Sequence, residues 1–258
     1  MNNFLSRIFG CFAHKQFPTP IQNIINSVYV AIFNIDLSEF ESTHYPSLNA
    51  LFTRKLKHNR IFDISPNVLI SPSDSLITEL GVSKEKKALQ IKGMEYSIEE
   101  LLGEILKQEM LYINLYLSPK DYHRYHAPCD LEIIELRYFG GDLMPVNMPS
   151  LQKNPNLFIR NERVVLKAKM PNQKILYFVA VGALNVGSII FHCEPKIHTN
   201  AKRYNETYTY ANPKKVRKGE ELGMFQMGST IVLFVEDCKA SIGSGERVKF
   251  AQSIGVLI

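Results

Sequence analysis

The chain has 258 residues, 45% of them hydrophobic and 21% charged, with a formal net charge of +5. That suffices for one large or two small domains with a sizeable core, on a soluble or peripheral protein. The positive balance favours anionic partners, lipid headgroups ahead of nucleic acid, because no nucleic-acid motif or long basic tract is present. Cys11, Cys129, Cys193 and Cys238 are scattered with no C-x-x-C pair, which suggests neither a disulfide framework nor a cysteine zinc site and fits a reducing cytoplasm.

In chain order, Phe4, Leu5, Ile8, Phe9 and Phe12 fall at helical spacing and predict a helix over 3–13. Arg7 interrupts them and no adequate apolar core follows, so a signal peptide is not expected. Beyond Pro18 and Pro20, Ile21, Ile24, Ile25, Val28, Ile32 and Ile35 recur at a helical period and predict an amphipathic helix over 20–35. Such a face either packs on a core or lies on a bilayer, and the basic group Arg54, Lys55, Lys57 and Arg60 favours the bilayer. Short strands follow at 67–70, 75–80, 110–117, 131–138, 163–168, 175–181, 186–192, 229–236 and 247–250. A helix over 97–107 opens with the capping pattern Ser97 and Glu100. The uncharged run 175–191 is too short, and too interrupted by Gly182, Asn185, Gly187 and Ser188, to span a membrane; it reads as two buried strands with a tight connection. Residues 194–219 are polar and basic and read as an exposed loop. The fold class expected is α+β, an antiparallel β-sandwich or barrel-like core with N-terminal amphipathic helices.

Three segments carry chemistry. Met227-Gly-Ser-Thr230 stands at the head of the β-branched run Ser229–Glu236. Gly228 has no side chain to shield its carbonyl. If a base takes the Ser229 hydroxyl proton, that oxygen can attack the carbonyl and turn the amide into an ester. β-Elimination then frees the upstream chain and leaves dehydroalanine, which hydrolyses to a pyruvoyl group. On its own Gly-Ser-Thr is also an ordinary turn into a strand. Ser118–Cys129 holds His123 and His126, and Ser71–Gly81 holds Asp74 beside a proline turn. Nucleophile, imidazole and carboxylate make the general set that activates a hydroxyl. The two histidines alone are thin support for a metal, and no metal is expected. His14, His44, His58, His192 and His198 read as structural or solvent-facing.

At these residues the chain resembles the phosphatidylserine decarboxylases, pyruvoyl enzymes formed by self-cleavage at a Gly-Ser bond, and the prokaryotic type in particular. The resemblance takes in Asn49–Leu56, the Asp74 segment, Ile91–Ser97, Tyr116–His126, Pro145–Asn147, Leu157–Arg163, Val181–Ser188 and Lys218–Phe225 before Met227–Thr230. Ser75 stands where the family usually has Gly, Met227 where it often has Leu, and Ala251 where glycine is common. Ser75 carries a β-carbon that disfavours positive φ, so the backbone around Asp74 is where a departure matters.

The resemblance implies decarboxylation of phosphatidylserine to phosphatidylethanolamine and CO2 through a Schiff base with a pyruvoyl group made from Ser229. It implies Asp74, His126 and Ser229 as the cleavage set, Gly228-Ser229 as the cleaved bond, and His123 or His126 as the acid of turnover. Residues 1–60 would form a membrane-associating helical region, and 61–258 a β-rich catalytic domain cut into chains 1–228 and 229–258. The partners implied are phosphatidylserine, an anionic membrane surface and the two chains of one proenzyme; a homodimer is compatible. The location implied is peripheral, on the cytoplasmic face of the inner membrane. Two other readings of the residues stand beside it: a Ser-His-Asp hydrolase that does not cleave itself, which lacks a G-x-S-x-G elbow, and a non-enzymatic membrane-binding module.

Overall fold

The computed structural model describes residues 10, 12–42, 44–84, 87–91, 93–184, 188–197, 199, 204–226 and 229–258. Its organising element is β13 (Ser229–Val235), in which every residue is buried. It lies between β5 (Leu111–Leu117) and β9 (Ile175–Val181) in an eight-stranded sheet, so both of its edges are hydrogen-bonded. A strand buried on both faces selects a continuous run of β-branched and aromatic residues rather than an alternating one. From β9 the sheet runs through β8 (Arg163–Lys169) and β7 (Leu131–Phe139) to the edge strand β11 (Asn205–Val216). From β5 it runs through β2 (Ser75–Val82) to β15 (Arg247–Val248). All pairings are antiparallel, and the two edge strands do not meet, so the sheet is not closed into a barrel.

Two three-stranded sheets and a hairpin complete the described β-structure. One sheet orders β10 (Ile189–Phe191), β12 (Glu221–Phe225) and β6 (Arg124–His126). The other orders β1 (Val68–Ile70), β16 (Ser253–Leu257) and β14 (Cys238–Ala240). The hairpin joins β3 (Lys87–Ile91) to β4 (Met94–Ser97). With α1 (Thr19–Phe33), α2 (Leu48–Phe52), α3 (Ile98–Leu102), α4 (Met148–Lys153) and α5 (Leu157–Arg160), the fold is α+β with a sandwich-like antiparallel core, as expected.

Three local expectations need correction. The helix expected over 97–107 stops at Leu102. Ser97 caps it by accepting from the Glu100 amide, but Gly103 at φ 73 turns the chain, and a β-carbon there would strike the Phe139 ring. Residues 194–219 are not simply a loop, since Asn205–Val216 forms β11. Tyr208, Tyr210 and Val216 of that strand pack against the core while Thr207 and Thr209 face solvent. Pro213 sits in its bulge, where an edge strand needs no amide donor. The two strands read in 175–191 belong to different sheets and are not a hairpin. Of the helix expected over 3–13, residues 3–9 and 11 lie outside the described residues.

α1 is built with its polarity inverted. Gln22 and Asn26 are its buried residues, and they bond to each other and to the Tyr45 carbonyl, each at 2.8 Å. Ile24 and Ile32 are 65% and 69% exposed, with Ile21 and Val28 close behind.

Candidate active site

Ser229 heads the innermost strand, directly opposite Leu117 of β5. Opposed side chains on neighbouring strands share a face. Leu117 lines an apolar cleft of about 710 Å³ that Ile24, Val28 and Ile32 of α1 and Phe52 of α2 also line. The serine therefore lies beside the floor of that cleft. Its hydroxyl is fully buried and has no hydrogen-bond partner among the described residues. A buried unpaired hydroxyl is costly in a merely structural role. Gly228 and Met227 lie outside the described residues.

His123 and His126 reach the same end of the core on β6 and the turn before it. The Phe225 amide, four residues before Ser229, bonds to the His123 carbonyl at 2.9 Å. His123 Nδ1 donates to the Asp121 carbonyl at 2.8 Å, which leaves Nε2 with the lone pair. That Nε2 is buried with no partner among the described residues, and the Phe52 ring lies 3.9 Å from the imidazole. Burial, with the Arg54 charge second, pushes His123 down to about 3. His126 Nδ1 donates to the Gly219 carbonyl at 2.9 Å, and its Nε2 accepts from the Tyr122 hydroxyl at 3.1 Å. The Phe250 ring stacks on it at 3.8 Å, and burial pushes it down to about 4. Both rings are neutral bases at pH 7.

Asp74 does not hydrogen-bond to His126 here. Its carboxylate takes a two-pronged contact from Arg60, at 2.5 and 3.1 Å, and the Phe250 amide at 2.7 Å. Arg60 also reaches Glu39 at 3.0 Å. The structure thus joins Asp74 to His126 through Phe250, whose amide the carboxylate holds and whose ring covers the imidazole. Ser75 opens β2 opposite Val248 and is not among the residues of positive φ, so its β-carbon strains nothing. Ala251, standing where glycine is common, does sit in the left-handed region at φ 79.

Sequence reasoning missed Arg60, Phe250, Tyr122 and Arg54. It counted the two arginines among four cations for a membrane, and that needs correction. Arg54 is 3% exposed and bonds backbone carbonyls, and Arg60 is spent on Asp74 and Glu39. Lys55 and Lys57 remain exposed. Glu221 is half-buried and pairs with Arg124 at 2.6 Å and His192 at 2.7 Å.

Comparison with known proteins identifies the family. The profile described as Phosphatidylserine decarboxylase matches residues 48–256. The chain is 58% identical over 259 residues to the "Phosphatidylserine decarboxylase proenzyme" of Helicobacter pylori, covering 99% of this chain and 97% of that one. It is 45% identical over 263 residues to the proenzyme of Campylobacter jejuni, covering 96% and 97%. Against the mitochondrial proenzyme of Rattus norvegicus it is 32% identical over 292 residues, covering 98% of this chain and 72% of that one. A family profile over residues 48–256 and near full-length identity to curated relatives lead to one conclusion: the chain belongs to the phosphatidylserine decarboxylase family.

Proposed function

We propose that the chain is a proenzyme that cuts itself at Gly228-Ser229 and then decarboxylates phosphatidylserine to phosphatidylethanolamine and CO2. The observation that carries this reading is the Ser229 hydroxyl, buried without a partner among the described residues and next to an apolar cleft. In maturation Ser229 is the nucleophile and His126 the base, with Asp74 fixing His126 through Phe250. The oxygen attacks the Gly228 carbonyl, and the amide becomes an ester. Elimination breaks the Cβ–O bond and releases the Gly228 carboxylate. Hydrolysis of the remaining dehydroalanine frees ammonia. No metal is needed.

The pyruvoyl group so formed supplies an electron-poor carbonyl that binds the substrate amine and accepts electrons as CO2 leaves. The chain's own residues handle the protons. The serine headgroup arrives as an ammonium and must shed a proton before its nitrogen can attack. The open lone pair on His123 Nε2 suits it to take that proton and return it to the α-carbon after CO2 departs. The cleft accommodates the apolar part of the lipid.

In the same reading residues 1–60 form the membrane-associating region and 61–258 the catalytic region, mature as chains 1–228 and 229–258. No helix among the described residues is long and apolar enough to cross a membrane. Peripheral attachment to the cytoplasmic face of the inner membrane, through the outward apolar face of α1 with Lys55 and Lys57 beside it, is the arrangement we favour. Ile24, Val28 and Ile32 belong both to that face and to the cleft, which supports entry of the lipid from the bilayer. Ser229→Ala tests the chemistry: the variant is expected to remain one intact, inactive chain. Two-chain processing in that variant would overturn the mechanism, and loss of wild-type activity in EDTA would overturn its independence of metal.

A further inference from the structure

Arg54 carries a positive charge into the interior without an opposite charge in contact with it among the described residues. Its Nη atoms donate to the carbonyls of Leu51, Lys120 and Asp121 at 3.3, 2.7 and 3.1 Å, and its Nε is buried without a partner. Its guanidinium lies 4.4 Å from the Phe40 ring. Asp74 and Asp121 act on it electrostatically, but its hydrogen bonds among the described residues go to neutral carbonyls. Burying a cation on such partners is expensive, and packing at this place would be met more cheaply by an uncharged side chain.

What the guanidinium touches suggests its use. The Asp121 carbonyl accepts from Arg54 Nη2 and from His123 Nδ1, so one oxygen joins the buried cation to the imidazole. The carbonyl fixes which ring nitrogen carries the proton, and Arg54 fixes the carbonyl. Phe52, two residues before Arg54, covers the imidazole face, so one short segment supports the ring from two sides. The positive charge also opposes protonation of a ring that must begin turnover neutral.

We propose that Arg54 is a positioning residue for decarboxylation, holding the Asp121 carbonyl and through it keeping His123 with Nδ1 protonated and Nε2 open to the site. The inference rests on the assignment of proton return to His123. It separates the two reactions of the protein, because self-cleavage uses His126, whose ring is held instead by Gly219, Tyr122 and Phe250.

The test uses the full-length chain as wild type, Arg54→Met, Arg54→Lys and His123→Ala. Three quantities are read: the cleaved fraction by intact mass, pyruvoyl content by hydrazine, and turnover of phosphatidylserine in detergent micelles per pyruvoyl. Arg54→Met is expected to cleave fully and to lose about tenfold or more in kcat per pyruvoyl, with KM within about twofold, as a part of what a general acid supplies. Arg54→Lys, which keeps the charge on a single donor nitrogen, is expected to recover much of the loss. Turnover per pyruvoyl within about twofold of wild type in Arg54→Met would overturn the role. So would a parallel fall of cleavage and turnover that Lys does not relieve, since that is the mark of a merely structural residue. If Arg54→Met fails to accumulate, Arg54→Gln takes its place under the same criteria: full cleavage with a several-fold lower kcat supports the inference, and unchanged kcat overturns it. His123→Ala separates the underlying assignment, because normal turnover in that variant would remove His123 from the reaction whatever the arginine variants do.

Discussion

His123 and His126 are neutral because burial forbids their charged forms, and this has a consequence for stability that can be measured. In the unfolded chain each ring takes up a proton near its usual 6.5, whereas in the folded protein they wait until about 3 and about 4. Between pH 6.5 and about 4 the unfolded state therefore binds more protons, so stability rises with pH across that window and is lost as pH falls. The paired carboxylates Glu39, Glu104 and Glu221 are held below their usual 4.5 and add their own loss only near and below that value. The thermal midpoint of the uncleaved Ser229→Ala chain should thus already fall between pH 6.5 and 5, and His126→Gln in that background should flatten the fall; a midpoint level over this range would contradict the neutral-imidazole account. Ala251 gives a second residue-scale expectation. An alanine at φ 79 bears steric strain that glycine does not. Offset by the extra chain entropy of glycine, Ala251→Gly should stabilise by about 0.5–1 kcal/mol, raising the midpoint by a few degrees. A lower midpoint would show that the β-carbon packs usefully.

At the scale of elements, legibility in the sequence followed burial. β13, β9 and β5 were readable because a strand buried on both faces leaves an unbroken β-branched and aromatic run. β11 was not, because its half-buried side mixes Glu206 with Tyr208 and Tyr210, and Pro213 interrupts it. The periodicity of α1 was readable but its direction was not. Which face of a helix is inward depends on its neighbours, and here they take Gln22 and Asn26. In the site, the residues with chemistry of their own stood out: Ser229, His123, His126 and Asp74. Their supports did not, since Arg60 meets Asp74 across 14 residues and Phe250 meets it across 176. α1 provides the element-scale prediction. Replacing Ile24, Val28 and Ile32 together by Ser should leave folding and self-cleavage intact, because all three are exposed, yet should weaken sedimentation with anionic liposomes. Full sedimentation of a folded, self-cleaving variant would remove α1 from membrane attachment.

Across the whole molecule, a rigid interior presents a reactive chain terminus to an apolar cleft. β13 is pinned by β5 and β9, so after cleavage the new N-terminus stays in place on a seven-residue buried strand. The N-terminal segment is bound into the same site, with Arg60 on Asp74, Arg54 on Lys120 and Asp121, and Phe40 packed among Tyr122, Ile70 and Phe250. On the proposed reading, attachment to the bilayer and support of the catalytic groups run through one stretch of chain. The central claim is that Ser229 becomes the pyruvoyl group of a decarboxylase, and the most direct test is intact mass with fragmentation of the purified wild-type protein. The account predicts two chains, 1–228 and 229–258, the smaller beginning in a pyruvoyl group and lighter by one ammonia than the same peptide with an N-terminal serine. A single uncut chain in an active preparation, or a small chain that begins in serine, would contradict it.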